Sequence, residues 1–92
     1  MIIGMRPIRQ TDTTIQEVGS ELLVLNQQQE SLNQLNSTAA WVFARCDGSR
    51  TLDELLAELM QTYDVTHELA RQDLLSVLRE LADLGLIELA GN

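Results

Sequence analysis

Leu35-Asn36-Ser37-Thr38-Ala39-Ala40-Trp41-Val42-Phe43 and, three residues on, Asp47-Gly48-Ser49-Arg50-Thr51-Leu52-Asp53-Glu54-Leu55 form the stretch that decides the fold. Its local chemistry reads as a strand end, a capped helix, a glycine stop and a second capped helix, with no long loop between them. Asn36 can accept a hydrogen bond from a free amide of the first helical turn. Gly48 is expected to supply the left-handed residue that ends that helix. Thr51, with Glu54 three residues later, is a capping box that starts the next one.

Upstream of this stretch the pattern is that of strands. Thr14-Ile15-Gln16-Glu17-Val18 alternates and stops at Gly19-Ser20, a turn signal. Glu21-Leu22-Leu23-Val24-Leu25-Asn26 follows at hairpin distance and is apolar enough for a central strand. Gln27-Gln28-Gln29-Glu30 reads as a solvated turn. Ser31-Leu32-Asn33-Gln34-Leu35 has only two apolar residues, so it is expected to be the least buried strand, at a sheet edge. Residues 1–12 are polar and weakly patterned, with Pro7 preventing an early helix, and are expected as a flexible lead-in to a single domain spanning 13–92.

Downstream the period changes from two to 3.6. A first helix is expected over about 37–46, with Ala39, Val42, Phe43 and Cys46 on one face, and a second over about 52–63. In the second, Leu52, Leu55, Leu56, Leu59, Met60 and Tyr63 form the core stripe, while Asp53, Glu54, Glu58 and Gln61 cover the other side. The longest helix, about 67–84, is capped by Thr66 and stopped by Gly85. Leu86-Ile87-Glu88-Leu89 is either a final strand or a tail packed on the sheet. The predicted class is a small α+β domain: a three-stranded antiparallel sheet followed by three helices, the last two in a helix-turn-helix.

The long helix has more apolar surface than one core contact needs. Leu84, Val77, Ala70, Leu81 and Leu74 cluster on one side, and Leu78, Ala82 and Leu75 widen the arc to about half the circumference, where about 100° suffices. Arg71 lies among the added residues. Beside an open strand edge such a shoulder makes a groove that could take an extended peptide as an extra strand. A helix packed on two sides would show the same arc.

Other functions find less support. A duplex is bound by neutralising its phosphates; this chain carries a formal charge of −8, six scattered arginines and no lysine, so no nucleic-acid partner is expected. His67 is the single histidine, expected at a helix start facing solvent, and no His/Cys spacing suits a metal. No nucleophile stands with a base and no glycine-rich phosphate loop is present, so neither catalytic nor cofactor chemistry is expected. Cys46 is alone and reads as a small buried hydrophobe. No segment approaches a membrane span or a signal peptide, so the chain is expected to be cytoplasmic.

The order "LN-x-TA…DG-x-RT-x-x-EL", with the strands before it, resembles the PqqD-like family, the peptide-chaperone or RiPP recognition element domains. The resemblance covers residues 14–89 and implies a winged helix-turn-helix-like domain with its strands placed first. It also implies a partner pair: the leader segment of a ribosomally made precursor peptide, and a modifying enzyme to which the leader is presented. In such domains the leader adds as a strand between the third strand and the third helix. Carried onto this chain, the peptide-binding residues are the backbone of Ser31, Leu32, Asn33, Gln34 and Leu35 and the side chains of Arg71, Leu75, Leu78 and Arg79. Asn36 and Asp47-Gly48 match motif positions but read as caps and turns. Gln27-Gln28-Gln29-Glu30 departs from the proline-containing turn of members dedicated to the quinone cofactor pathway. The alternative is a winged-helix structural or regulatory interaction subunit with no peptide ligand.

Overall fold

A computed structural model describes residues 6–90. The elements in chain order are strands β1 (Arg6–Arg9), β2 (Thr13–Val18), β3 (Glu21–Asn26) and β4 (Ser31–Leu35), helices α1 (Ser37–Ala44), α2 (Leu52–Thr62) and α3 (His67–Asp83), and strand β5 (Ile87–Ala90). The expected α+β architecture is what forms: β2, β3 and β4 make an antiparallel sheet in that spatial order, and three helices follow.

Pairing Ile15↔Val24↔Asn33 and Glu17↔Leu22↔Leu35 puts these residues on one face of the sheet, since side chains alternate along a strand. On that face Val24 and Leu35 are buried, and α1 lies against it. The core continues through Val42, Phe43 and Cys46 of the α1 segment, Leu52, Leu55, Leu56 and Leu59 of α2, and Ala70, Leu74, Leu78 and Leu81 of α3. The α2 stripe is the one its spacing predicts. β4 is an edge strand as expected, but it is not the least buried one: among the described residues β2 is more exposed.

The caps read from the sequence are present. Ala39 N–H donates to Asn36 Oδ1 at 2.9 Å. Thr51 Oγ1 accepts from Glu54 N–H at 3.3 Å while Glu54 Oε1 accepts from Thr51 N–H at 2.9 Å. Thr66 caps α3 by accepting from Leu69 N–H, and Gly85 follows its end at φ +73°.

Two expectations are corrected. Gly48 does adopt φ +83°, but α1 has already ended at Ala44 in a tight turn whose amides, Arg45 and Cys46, donate to Val42 and Phe43 three residues back. Gly48 serves a turn that meets β1 instead: its N–H donates to the Pro7 carbonyl, and a Cβ there would lie 3.2 Å from Ile8 Cδ1. Second, within the stretch 1–12 expected as a lead-in, Arg6–Arg9 form a strand; the rest of that expectation, residues 1–5, lies outside the described residues. β1 pairs with β5 in register Arg6↔Ala90 to Arg9↔Ile87 and touches the 46–48 turn on its other side. Of the two alternatives for the 86–89 segment the final strand is the one that forms, as Ile87–Ala90 in this second, two-stranded sheet. β1 escapes a local reading because its partner lies some eighty residues away in sequence.

Candidate functional groove

The β3–β4 hairpin is tied to the end of α3. Asn26, only 4% exposed, donates through Nδ2 to the Gly85 carbonyl at 3.0 Å and accepts at Oδ1 from the amides of Gln28 and Gln29. Gly85 sits at φ +73°, where a side chain is strained, and a Cβ there would press on Gln29 Nε2 at 2.7 Å and Asn26 Nδ2 at 3.1 Å. At the other end of β4, Gln34, Leu35 and Asn36 share a cavity of about 270 Å³ with Asp73, Val77, Glu80 and Leu81 of α3, and with Thr38 and Ala39 of α1. Strand start therefore faces helix end, and strand end faces helix middle: β4 and α3 run side by side in opposite directions with a groove between them.

The outer edge of β4 has no strand partner among the described residues. Exposed edges in natural sheets are commonly blunted by charge, proline or bulges. Ser31-Leu32-Asn33-Gln34-Leu35 has no charge and no proline, and its register with β3 is unbroken. Ser31, Asn33 and Leu35 turn toward the α3 side, whereas Leu32, 66% exposed, and Gln34 turn away. The Gln34 amide donates to Glu21 on that outer face at 2.7 Å.

The helix side of the expected site is differently placed. At about 100° per residue, Asp73, Val77, Glu80 and Leu84 share one narrow arc of α3, and Arg71, Leu75, Leu78 and Ala82 share another about 160° away. The cavity linings assign the arcs: the first borders β4, the second borders α2 and β5. Arg71 and Leu75 line a cavity of about 200 Å³ with Leu52 and Leu56, and Leu75, Leu78 and Arg79 line one of about 280 Å³ with Leu52 and Leu89. Leu78 itself is core, 2% exposed. The structure thus does not bring Arg71, Leu75, Leu78 and Arg79 together with Ser31 to Leu35. The apolar shoulder of Leu75, Leu78 and Ala82 packs toward α2 and β5, and it is the opposite, mixed flank that faces the strand; periodicity alone does not say which flank does. Asp73, Val77 and Glu80 are the groove residues that sequence reasoning misses, because the Asn26–Gly85 contact that turns this flank toward the strand joins residues far apart in sequence.

The motif residues Asp47 and Arg50 build a corner between α1 and α2. Ser49 donates its amide and hydroxyl to Asp47, which holds that carboxyl below its ordinary value. Arg50 donates to Glu58 at 2.6 Å and pairs with Asp47 at 3.4 Å, while Arg45, stacked 3.9 Å over the Trp41 ring, reaches the same Glu58. Burial pushes the Cys46 thiol up to about 12, and its Sγ–H donates to the Val42 carbonyl, so it is an unreactive packing group. A larger open cavity, about 530 Å³, lies under β2 between Ile15, Leu22 and the Trp41–Tyr63 pair. No metal-binding group of His, Cys, Asp or Glu occurs among the described residues, and no helix there is long and apolar enough to cross a membrane.

Residues 14–87 match the family described as coenzyme PQQ synthesis protein D (PqqD). No curated protein matches the chain. Among solved structures, the fold is similar to that of TbiB1 in complex with the TbiA(beta) leader peptide, at a TM-score of 0.81 and 18% identity, over 92% of this chain and 99% of that one. It is also similar to lasso peptide synthetase B1 complexed with the leader peptide, at a TM-score of 0.78 and 18% identity, over 90% of this chain and 98% of that one. At such identity the likeness is one of fold, and it spans the strands and helices that border the groove.

Proposed function

The chain belongs to the PqqD family, and from that membership we propose that it is a non-catalytic peptide-binding domain of the cytoplasm. It takes the leader segment of a ribosomally made precursor peptide as an added strand and presents it to a modifying enzyme. The observation that carries this reading is the unguarded outer edge of β4 running beside α3 with a cavity between them. A peptide laid on that edge exchanges main-chain hydrogen bonds with β4 and turns alternate side chains toward the helix, which is how strand addition combines affinity with specificity. Two solved proteins of similar fold are described in complex with leader peptides.

On this proposal the backbone of Ser31 to Leu35 is the docking edge. The helix-side contacts are Asp73, Val77, Glu80 and Leu81, in place of Arg71, Leu75, Leu78 and Arg79. The ligand leaves unchanged: the groove offers an open strand edge and two exposed carboxylates, with no nucleophile set against a base and no metal-binding group among the described residues. The test is to titrate fluorescently labelled leader segments of the precursor peptides encoded beside this chain's gene, then to weigh them. Saturable binding with unchanged mass is expected; failure of every such leader to bind at high micromolar concentration would remove the proposal.

A further inference from the structure

The helix wall of the groove is acidic. Asp73 and Glu80 both line the cavity beside Gln34 and Leu35, both are exposed, and neither is in an ion pair among the described residues. Arg45, Asp47, Arg50 and Glu58 pair with one another at the α1–α2 corner, away from this wall. The cavity lining includes no cation to offset the two carboxylates, and Arg71 and Arg79 lie off the strand-facing arc. Val77 stands between the carboxylates as the apolar floor.

Resting on the strand-addition reading, we propose that this groove selects a basic leader: an extended segment with Lys or Arg at two positions that face α3 and, on the same face between them, an apolar side chain against Val77. The spacing suits it. Asp73 and Glu80 lie about 10 Å apart along the helix axis at 1.5 Å per residue. Same-face residues of a strand recur about every 6.7 Å, so long, flexible basic side chains four residues apart reach both carboxylates and leave the same-face residue between them to cover Val77. A leader with Asp or Glu at those positions meets like charge in a site partly shielded from water, so the wall discriminates by repulsion as well as by attraction.

The experiment selects binders from a random-peptide display library on the immobilised chain and, in parallel, on the double variant D73K/E80K. Wild type should enrich Lys and Arg at that same-face spacing, and the variant should shift that preference to Asp and Glu. Reversing the charges of a selected peptide should weaken wild-type binding by about three- to tenfold, the scale of two partly exposed ion pairs, and D73K/E80K should restore it. Should the double variant fold poorly, D73N and E80Q, which only neutralise, must each reduce the bias. Peptides selected without charge preference, or with one these substitutions leave in place, would overturn the basic-leader inference and leave strand addition standing. Selection of no peptide at all would overturn both.

Discussion

Phe43 has no exposed surface and belongs to the core cluster shared by the sheet and the three helices, with the Arg9 guanidinium 5.9 Å from the ring centre. Its truncation leaves a cavity that so small a core cannot collapse around, so Phe43→Ala should cost roughly 3–5 kcal/mol of the about 5–15 kcal/mol a domain has. Chemical denaturation checks this, and the variant should be marginal at room temperature. Glu54 makes a different, pH-dependent contribution. The Thr51 amide, and then its hydroxyl, hold the Glu54 carboxyl below its ordinary value. A carboxyl lowered in the folded state stabilises fully above its unfolded value, about 4.3 for Glu, and loses that contribution as pH falls through the lowered one. Melting temperature followed from neutral to acid pH should therefore fall more steeply for wild type than for Glu54→Gln, with the two curves converging in acid. Parallel curves would mean the capping box adds nothing through ionisation.

Elements were readable wherever their cause is local. Asn36, Thr51 and Thr66 start the three helices because a cap is a contact over three residues, and the α2 stripe is buried because leucines at helical spacing define a face without outside help. The thin apolar content of β4 is enough to mark it as an edge strand. What the sequence does not show is which flank of α3 faces that edge: the apolar one of Leu75, Leu78 and Ala82 or the mixed one of Asp73, Val77 and Glu80 about 160° away, a choice made by Asn26 and Gly85, distant in sequence. β1 was missed for the same reason, since its pairing with β5 and its contacts with the 46–48 turn are all long-range. The edge itself is testable by proline, which deletes a backbone donor and is tolerated only where that donor is unpaired. Amides alternate along β4, so either Asn33→Pro or the pair Leu32→Pro and Gln34→Pro should spare folding and abolish leader binding, while the other set unfolds the hairpin. Proline at whichever of Ile15 and Gln16 points its amide off the open side of β2 should leave binding intact. Loss of binding there instead would move the ligand to the large cavity under β2.

At the scale of the molecule, the groove exists because one sheet and one helix are held at a set separation, and their fastening is small. The strand–helix pair is joined at one end by chain continuity through α1 and at the other by the Asn26 side chain, whose Nδ2 holds the Gly85 carbonyl while Oδ1 holds the turn amides of Gln28 and Gln29. The two jobs can be separated chemically. Asn26→Ala removes both and should cost about 1–3 kcal/mol, the usual effect of breaking a buried hydrogen-bonded group. Asn26→Asp keeps the oxygen that organises the turn but sets a carboxylate against a carbonyl, so it should preserve the hairpin and release it from α3. If the fastening sets the groove width, the Asp variant should lose leader affinity out of proportion to its stability. Its hydrogen exchange should quicken at the end of α3 while the β3–β4 amides stay protected. Equal losses of affinity and stability in both variants would show that Asn26 serves the fold alone, and that the groove is shaped by the packing of α1 between the sheet and α3.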